Sequence, residues 1–164
     1  MPIPPTFVRS DRTFFITTQT YRKKRLLQSD RNATLLIDVL RSCVRAQRFQ
    51  LHDFVIMPDH VHLLLTVASG GTIEKAMQFI KGGFSFRLKR ETGYPGEVWQ
   101  RGFTDRPVRD VESFDNHQRY IAANPVTAGL AALPEEFPWC FTTLARAKSL
   151  SPPSTRLRSH ASGT

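Results

Sequence analysis

Residues 54–67 read Phe-Val-Ile-Met-Pro-Asp-His-Val-His-Leu-Leu-Leu-Thr-Val. At a period of two, His60, His62, Leu64 and Thr66 share one face of a strand, and Val61, Leu63, Leu65 and Val67 share the other. The all-apolar face needs a core. The mixed face opens with two imidazoles about 6–7 Å apart at a rise of roughly 3.3 Å per residue, which lets both rings converge on one cation. An arbitrary His-x-His is more often two partly exposed strand histidines without a ligand. This pair differs because it occupies the first residues of its strand, where a polar site can open to solvent. Pro58 also breaks the ladder just before it, so a separate strand ends near Met57.

Outward from that strand, the chain alternates short strands and helices. Residues 13–20, Thr-Phe-Phe-Ile-Thr-Thr-Gln-Thr, are aromatic and β-branched and predict a first strand. Leu35, Leu36, Val39, Leu40, Cys43 and Val44 recur at helical spacing, predicting an amphipathic helix over 32–47. Residues 49–57 form a second strand, joined to 60–67 as a hairpin through Met57-Pro58-Asp59. Thr72 is a helix N-cap candidate, followed by Ile73, Met77, Ile80, Phe84 and Leu88 on one helical side. That helix contains Gly82-Gly83, which implies either close approach by another backbone or a break. Residues 98–108 predict a fourth strand, bulged at Gly102, and Asp110 can cap a helix over 111–124 that Pro125 should stop. Leu130, Leu133, Phe137, Trp139, Phe141 and Leu144 would pack a wrapping segment onto the domain. Residues 1–12 are expected to form a flexible lead, 13–147 one domain and 148–164 a disordered basic tail.

Composition narrows the partner. The 164 residues carry 23 Lys and Arg against 14 Asp and Glu, a net charge of +9, which favours a polyanion, nucleic acid ahead of a membrane surface. No apolar run is long enough to span a bilayer and no signal peptide is visible, so no membrane partner and a cytoplasmic, nucleoid-associated location are expected. Cys43 and Cys140 do not make a disulfide framework. Tyr21-Arg22-Lys23-Lys24-Arg25 follows the first strand directly and suits phosphate binding with base stacking. Lys81, Arg87, Lys89 and Arg90 make the exposed side of the second long helix basic, and Arg101 joins the DNA-binding candidates. His52 pairs with no visible site and reads as structural.

The helix over 111–124 supplies the second half of a site. Asn116, His117, Tyr120 and Asn124 stand at steps of three and four and share a face. A helical tyrosine ordinarily tucks its ring into the core. Beside a His-x-His in a basic chain, Tyr120 has another use, because phenolate can attack a phosphodiester and keep the bond energy in a covalent phosphotyrosine. A divalent ion would help the phenol ionise and withdraw charge from the phosphate. There is no phosphate-binding glycine loop and no Cys-x-x-Cys pair to suggest another reaction.

These residues carry a resemblance. Residues 55–65, Val-Ile-Met-Pro-Asp-His-Val-His-Leu-Leu-Leu, resemble the HUH block of the single-tyrosine transposases, where U is a bulky apolar residue. Residues 120–130, Tyr-Ile-Ala-Ala-Asn-Pro-Val-Thr-Ala-Gly-Leu, resemble the Tyr-Ile-x-x-Asn-Pro-Val block of the REP-associated tyrosine transposases. Val98-Trp99-Gln100-Arg101-Gly102-Phe103 and Phe137-Pro138-Trp139 fit the same branch. The resemblance implies an α+β, ferredoxin- or RRM-like fold with a central antiparallel sheet of four to five strands and helices packed on it. It implies metal-dependent cutting and rejoining of single-stranded DNA, with Tyr120 as nucleophile and His60 and His62 as metal ligands. The substrates in that branch are repetitive extragenic palindromes (REP), hairpins with a flanking guide sequence. Asp59 departs from the branch, which commonly has Asn there; its expected role is the turn, with the metal shell the other possibility.

Two histidines leave a divalent ion short of a third protein ligand. Asn124, one turn beyond Tyr120 with a hard amide oxygen, is the expected third ligand of Mg²⁺ or Mn²⁺, His117 is its competitor, and ending the helix before Pro125 is the bland role for Asn124. Two other readings of the whole chain stay open: a catalytically silent binder of REP DNA or RNA hairpins, and a protein-interaction domain with structural histidines. Monomer and homodimer are equally compatible with the sequence.

Overall fold

The computed structural model describes residues 12–141; all but Arg12 of the lead expected over 1–12, Leu144 and the tail expected over 148–164 lie outside the described residues. The elements run β1 (Thr13–Gln19), α1 (Asp30–Arg45), β2 (Phe49–Ile56), β3 (His60–Val67), α2 (Ile73–Thr92), β4 (Thr104–Pro107) and α3 (Val111–Thr127), with 3-10 turns at Tyr21–Lys23 and Pro134–Glu136. The strands make one antiparallel sheet in the order β2-β3-β1-β4. The two central strands, β3 and β1, pair along all of β1, from Thr13 opposite Thr66 to Gln19 opposite His60.

Both sheet faces are covered. Ile16, Val61, Leu63, Leu65 and Val67 bury under α1 and α2, against Leu36, Leu40, Met77, Ile80, Phe84 and Leu88. Phe15, Val55 and Leu64 bury on the other face under α3, against Phe114 and Ile121, with Phe137 and Cys140 closing the side. The mixed face of β3 therefore has a core of its own beyond the histidines. The edge of β2 is capped by the later chain, where Ile56 N–H donates to the Trp139 carbonyl at 2.9 Å and Val55 bridges Cys140.

Local chemistry sets the helix ends. Ser29 Oγ accepts from Asn32 N–H, so α1 starts at Asp30, ahead of the expected 32. Thr72 and Asp110 cap α2 and α3 as expected, accepting from Lys75 and Ser113. The helix α2 runs unbroken through Gly82-Gly83. A Cβ on Gly83 would stand 3.2 Å from Val39 Cγ1, so this glycine serves the close approach of α1 and α2.

Four expectations are corrected. The fourth strand is only Thr104–Pro107, because the chain turns at Gly102 (φ +79) and Trp99 is spent on packing, edge to Phe84 and with Nε1–H donating to the Lys81 carbonyl. Pro125 does not stop α3. It gives up one N–H near the end of the helix while its ring is buried, and the helix runs on to Thr127 and is closed by the turn at Gly129 (φ +75), where Gly129 N–H donates to Val126 and Leu130 N–H to Pro125. Leu130 and Leu133 are exposed, whereas Phe137, Trp139 and Phe141 pack as expected, together with Ala131 and Cys140. The reading of 49–57 as a plain strand also missed a bulge at His52, between Leu51 and Asp53.

Candidate active site

The start of β3, the end of β1 and the middle of α3 meet at one open end of the sheet. His60 and His62 have ring centroids 4.8 Å apart and stand nearly at right angles. The Tyr120 ring lies 5.3 Å from His62 and 5.8 Å from Phe15, edge-on to both. Phe15, on β1, stacks on His62 at 5.4 Å and so fixes both rings against the sheet. Tyr120 itself is 53% exposed, an unusual state for a large ring, and it lines the cleft. A cleft of about 390 Å³ is lined by Thr17, Gln19, Lys23, Asp59, His60, His62, Thr104 and Tyr120.

The ring nitrogens differ in a way that matters for chemistry. His60 Nδ1 lies 2.6 Å from Asp59 Oδ1, and His62 Nδ1 lies 2.8 Å from Thr17 Oγ1. Thr17 is directly opposite His62 in the β1–β3 register. His62 Nε2 is buried and has no partner. A buried ring nitrogen without a partner costs on the order of 1–3 kcal/mol, so a ligand that pairs with it here would be favoured. Burial, and secondarily His60, pushes the His62 pKa down to about 4, which keeps the ring neutral near pH 7 with a lone pair to give. Anchored Nδ1 atoms with Nε2 left over are the arrangement of metal-binding imidazoles backed by outer hydrogen bonds. The pair thus fits a divalent ion. Asp59 was expected to serve the turn; its carboxylate instead contacts His60, while its main-chain carbonyl accepts from Thr20 N–H.

Among the described residues no group of three His, Cys, Asp or Glu is placed to hold a metal ion. Asn124 is half-buried one turn beyond Tyr120 and is not among the residues lining the cleft. His117 Nδ1–H donates to the Ser113 carbonyl at 2.7 Å, and its ring lies 4.5 Å from Phe15, outside the cleft wall. Gln19, opposite His60 on β1, does line the cleft and went unnoticed in the sequence, since only strand pairing brings it there.

The expected DNA-binding residues are dispersed. Lys23 alone lines the cleft. Arg22 lies 5.2 Å from the Tyr21 ring centroid, and Lys24 and Arg25 are exposed beside it. Lys81 is committed to structure: Nζ donates to the carbonyls of Gln100 and Gly102, at 2.9 and 2.7 Å. Arg87 pairs with Glu91 at 3.4 Å. Arg87 and Arg90 line a groove of about 670 Å³ between α1 and α2, on the layer opposite the histidines, with Phe79, Phe86 and Arg48. Arg48, which sequence reasoning missed, holds its guanidinium 4.1 Å over Phe79. Lys89 and Arg101 are exposed, the first on α2 and the second in the turn before Gly102.

The sequence profile described as "Transposase IS200 like" matches residues 11–124, from the entry to β1 through Tyr120 to Asn124. This chain belongs to the IS200-like transposase family. A REP-associated tyrosine transposase of Escherichia coli K12 is 24% identical over 141 residues, covering 85% of this chain and 80% of the relative. A solved REP-associated tyrosine transposase bound to a REP hairpin superposes with a TM-score of 0.72 at 22% identity, covering 93% of this chain and 89% of that one. At that identity the likeness establishes the α+β fold. Among the described residues no helix of this transposase is long and apolar enough to cross a membrane.

Proposed function

We propose that this transposase cuts and rejoins single-stranded DNA next to REP-type hairpins through a covalent bond to Tyr120. The observation that carries the reading is the meeting of an exposed Tyr120 with His62, whose buried Nε2 has no partner, in a cleft open to solvent. In the exchange, Tyr120 Oη bonds to phosphorus as one sugar oxygen leaves. The phenol gives up a proton and the released sugar oxygen gains one, so the step is balanced without an oxidant or an external energy source. Mg²⁺ or Mn²⁺ held by His60 and His62 would withdraw charge from the phosphate and ease ionisation of the phenol. Thr17 and Asp59 keep the two rings oriented for that task, and Phe15 fixes His62 and Tyr120 against the sheet. Asn124 or Gln19 would complete the donor set with an amide oxygen.

The groove on the α1–α2 layer supports a substrate with two parts. Arg48, Arg87 and Arg90 beside exposed Phe86 offer phosphate and stacking contacts away from the cleft, suited to holding a structured element while a single strand is cut. The relative solved with a REP hairpin favours such a partner.

The test is a denaturing gel of protein incubated with a labelled REP hairpin and its flanking single strand, with Mn²⁺. Wild-type protein should carry label covalently. Tyr120→Phe should bind the hairpin normally and carry none. A labelled Tyr120→Phe band would move the nucleophile elsewhere, and a wild-type protein that binds but is never labelled would favour the silent binder.

A further inference from the structure

Of the basic residues singled out in the sequence, Lys23 alone shares the cleft with His60, His62 and Tyr120. It arrives there through an uncommon backbone. Arg22 (φ 52, ψ 29) and Lys23 (φ 52) are successive non-glycine residues in the left-handed region. Such a conformation disfavours side chains with a Cβ, and glycine would relieve it. The turn is nevertheless held on several sides. Tyr21 N–H donates to Val98, Lys23 N–H to Thr20 and Lys24 N–H to Tyr21, while Thr20 Oγ1–H reaches the Lys24 carbonyl at 2.6 Å. Thr20 N–H and Leu27 N–H tie the two ends of this segment to Asp59 and Pro58, in the turn that presents His60. Backbone strain that is fixed this thoroughly marks a side chain delivered to a place.

The charges around that place are otherwise accounted for. Asp59, the cleft's carboxylate, contacts His60. Among the described residues no ion pair involves Lys23. Lys24 and Arg25 carry the same charge but do not line the cleft.

We propose that the Lys23 ammonium binds a non-bridging oxygen of the scissile phosphodiester, orienting that phosphate toward Tyr120 and balancing the charge that shifts onto it as the bond to Tyr120 forms. The ligand class is a phosphodiester anion, and the strained turn is the device that places the cation. The inference rests on Tyr120 being the nucleophile.

The experiment measures single-turnover formation of the covalent adduct, substrate affinity and thermal melting for each variant on one hairpin oligonucleotide. Lys23→Ala should slow adduct formation at saturating DNA by about 100-fold, the scale of losing one preorganised donor, with affinity changed only a few-fold. Lys24→Ala, the same charge change one residue away, should weaken binding without slowing the saturated step to that degree. Lys23→Gly should melt at or above the wild-type temperature and still react as slowly as Lys23→Ala, which separates the ammonium from the backbone. Lys23→Arg should recover part of the rate. Equal losses of saturated rate in Lys23→Ala and Lys24→Ala, or a wild-type rate in Lys23→Ala, would overturn the assignment. If Tyr120→Phe still forms the adduct, the nucleophile reading fails first, whatever Lys23 does.

Discussion

His52 and His62 are both buried on the α3 side of one sheet, and burial lowers the pKa of both. They differ in what meets their ring nitrogens. His52 Nε2 lies 2.7 Å from Thr66 Oγ1, which lies 2.7 Å from Thr13 Oγ1, and the ring packs 5.4 Å from Phe114. That end of the sheet is closed and satisfied. His62 has Thr17 on Nδ1 and nothing on Nε2; among the described residues only Thr18 Oγ1 shares that condition. Burial and a shifted pKa therefore do not separate the two histidines. Unmet hydrogen-bonding capacity beside an open cleft does.

The largest effect that could break this contrast is on chemistry. His62→Ala should lose Mn²⁺ binding and reduce adduct formation by about 1,000-fold or more, a scale reached when a group essential to positioned charge is removed. His52→Ala should leave the saturated rate near wild type and lower stability by about 1–3 kcal/mol, through the stranded Thr66–Thr13 pair and the lost packing on Phe114. Calorimetric Mn²⁺ titration and thermal melting on both variants test the pair; a metal-binding defect in His52→Ala would erase the distinction.

The next effect is on stability as a function of pH in metal-free protein. His62 titrates near 6.5 when unfolded and at about 4 when folded, so its contribution is full above 6.5 and is lost as pH falls toward 4. His52 acts in the same direction. Asp53 opposes them. Burial raises its pKa from 3.8 to about 7, so its contribution is full below 3.8 and is lost as pH rises through 7. Asp53→Asn should uncover the histidine limb, with denaturant midpoints rising from pH 4 to 6.5. Adding His62→Ala should flatten most of that rise, and an unchanged slope would mean that His62 is not the residue responsible.

The smallest effect concerns the shell around His60. Asp59→Asn keeps a hydrogen-bonding side chain but removes the charge at 2.6 Å from Nδ1. Mn²⁺ affinity should fall about tenfold, the low end for an outer-shell partner of a ligating histidine. Mn²⁺ affinity unchanged in Asp59→Asn, measured by electron paramagnetic resonance, would return Asp59 to the turn.

Local pattern was enough to mark the strands β1 and β3, the caps of α2 and α3, the family, and His60, His62 and Tyr120 as the side chains that meet at one cleft. Each rests on short-range information: a period of two or 3.6, a capping side chain three residues from its partner, or a motif within eleven residues. Pro125 misled because local propensity charges for a lost N–H, whereas its buried ring and the Gly129 turn decide where α3 ends. Tertiary structure alone decided what surrounds the histidines. Thr17 reaches His62 from 45 residues away, and Gln19 stands opposite His60 only because β1 pairs with β3 in one register. A slip of one residue would exchange the faces and remove both contacts. Tertiary structure also sorted the basic residues, which composition cannot tell apart. It sent Lys23 to the cleft, Lys81 to a loop, and Arg87 and Arg90 to the opposite layer, because a side chain's surroundings depend on which elements pack together and only its charge is written in the chain.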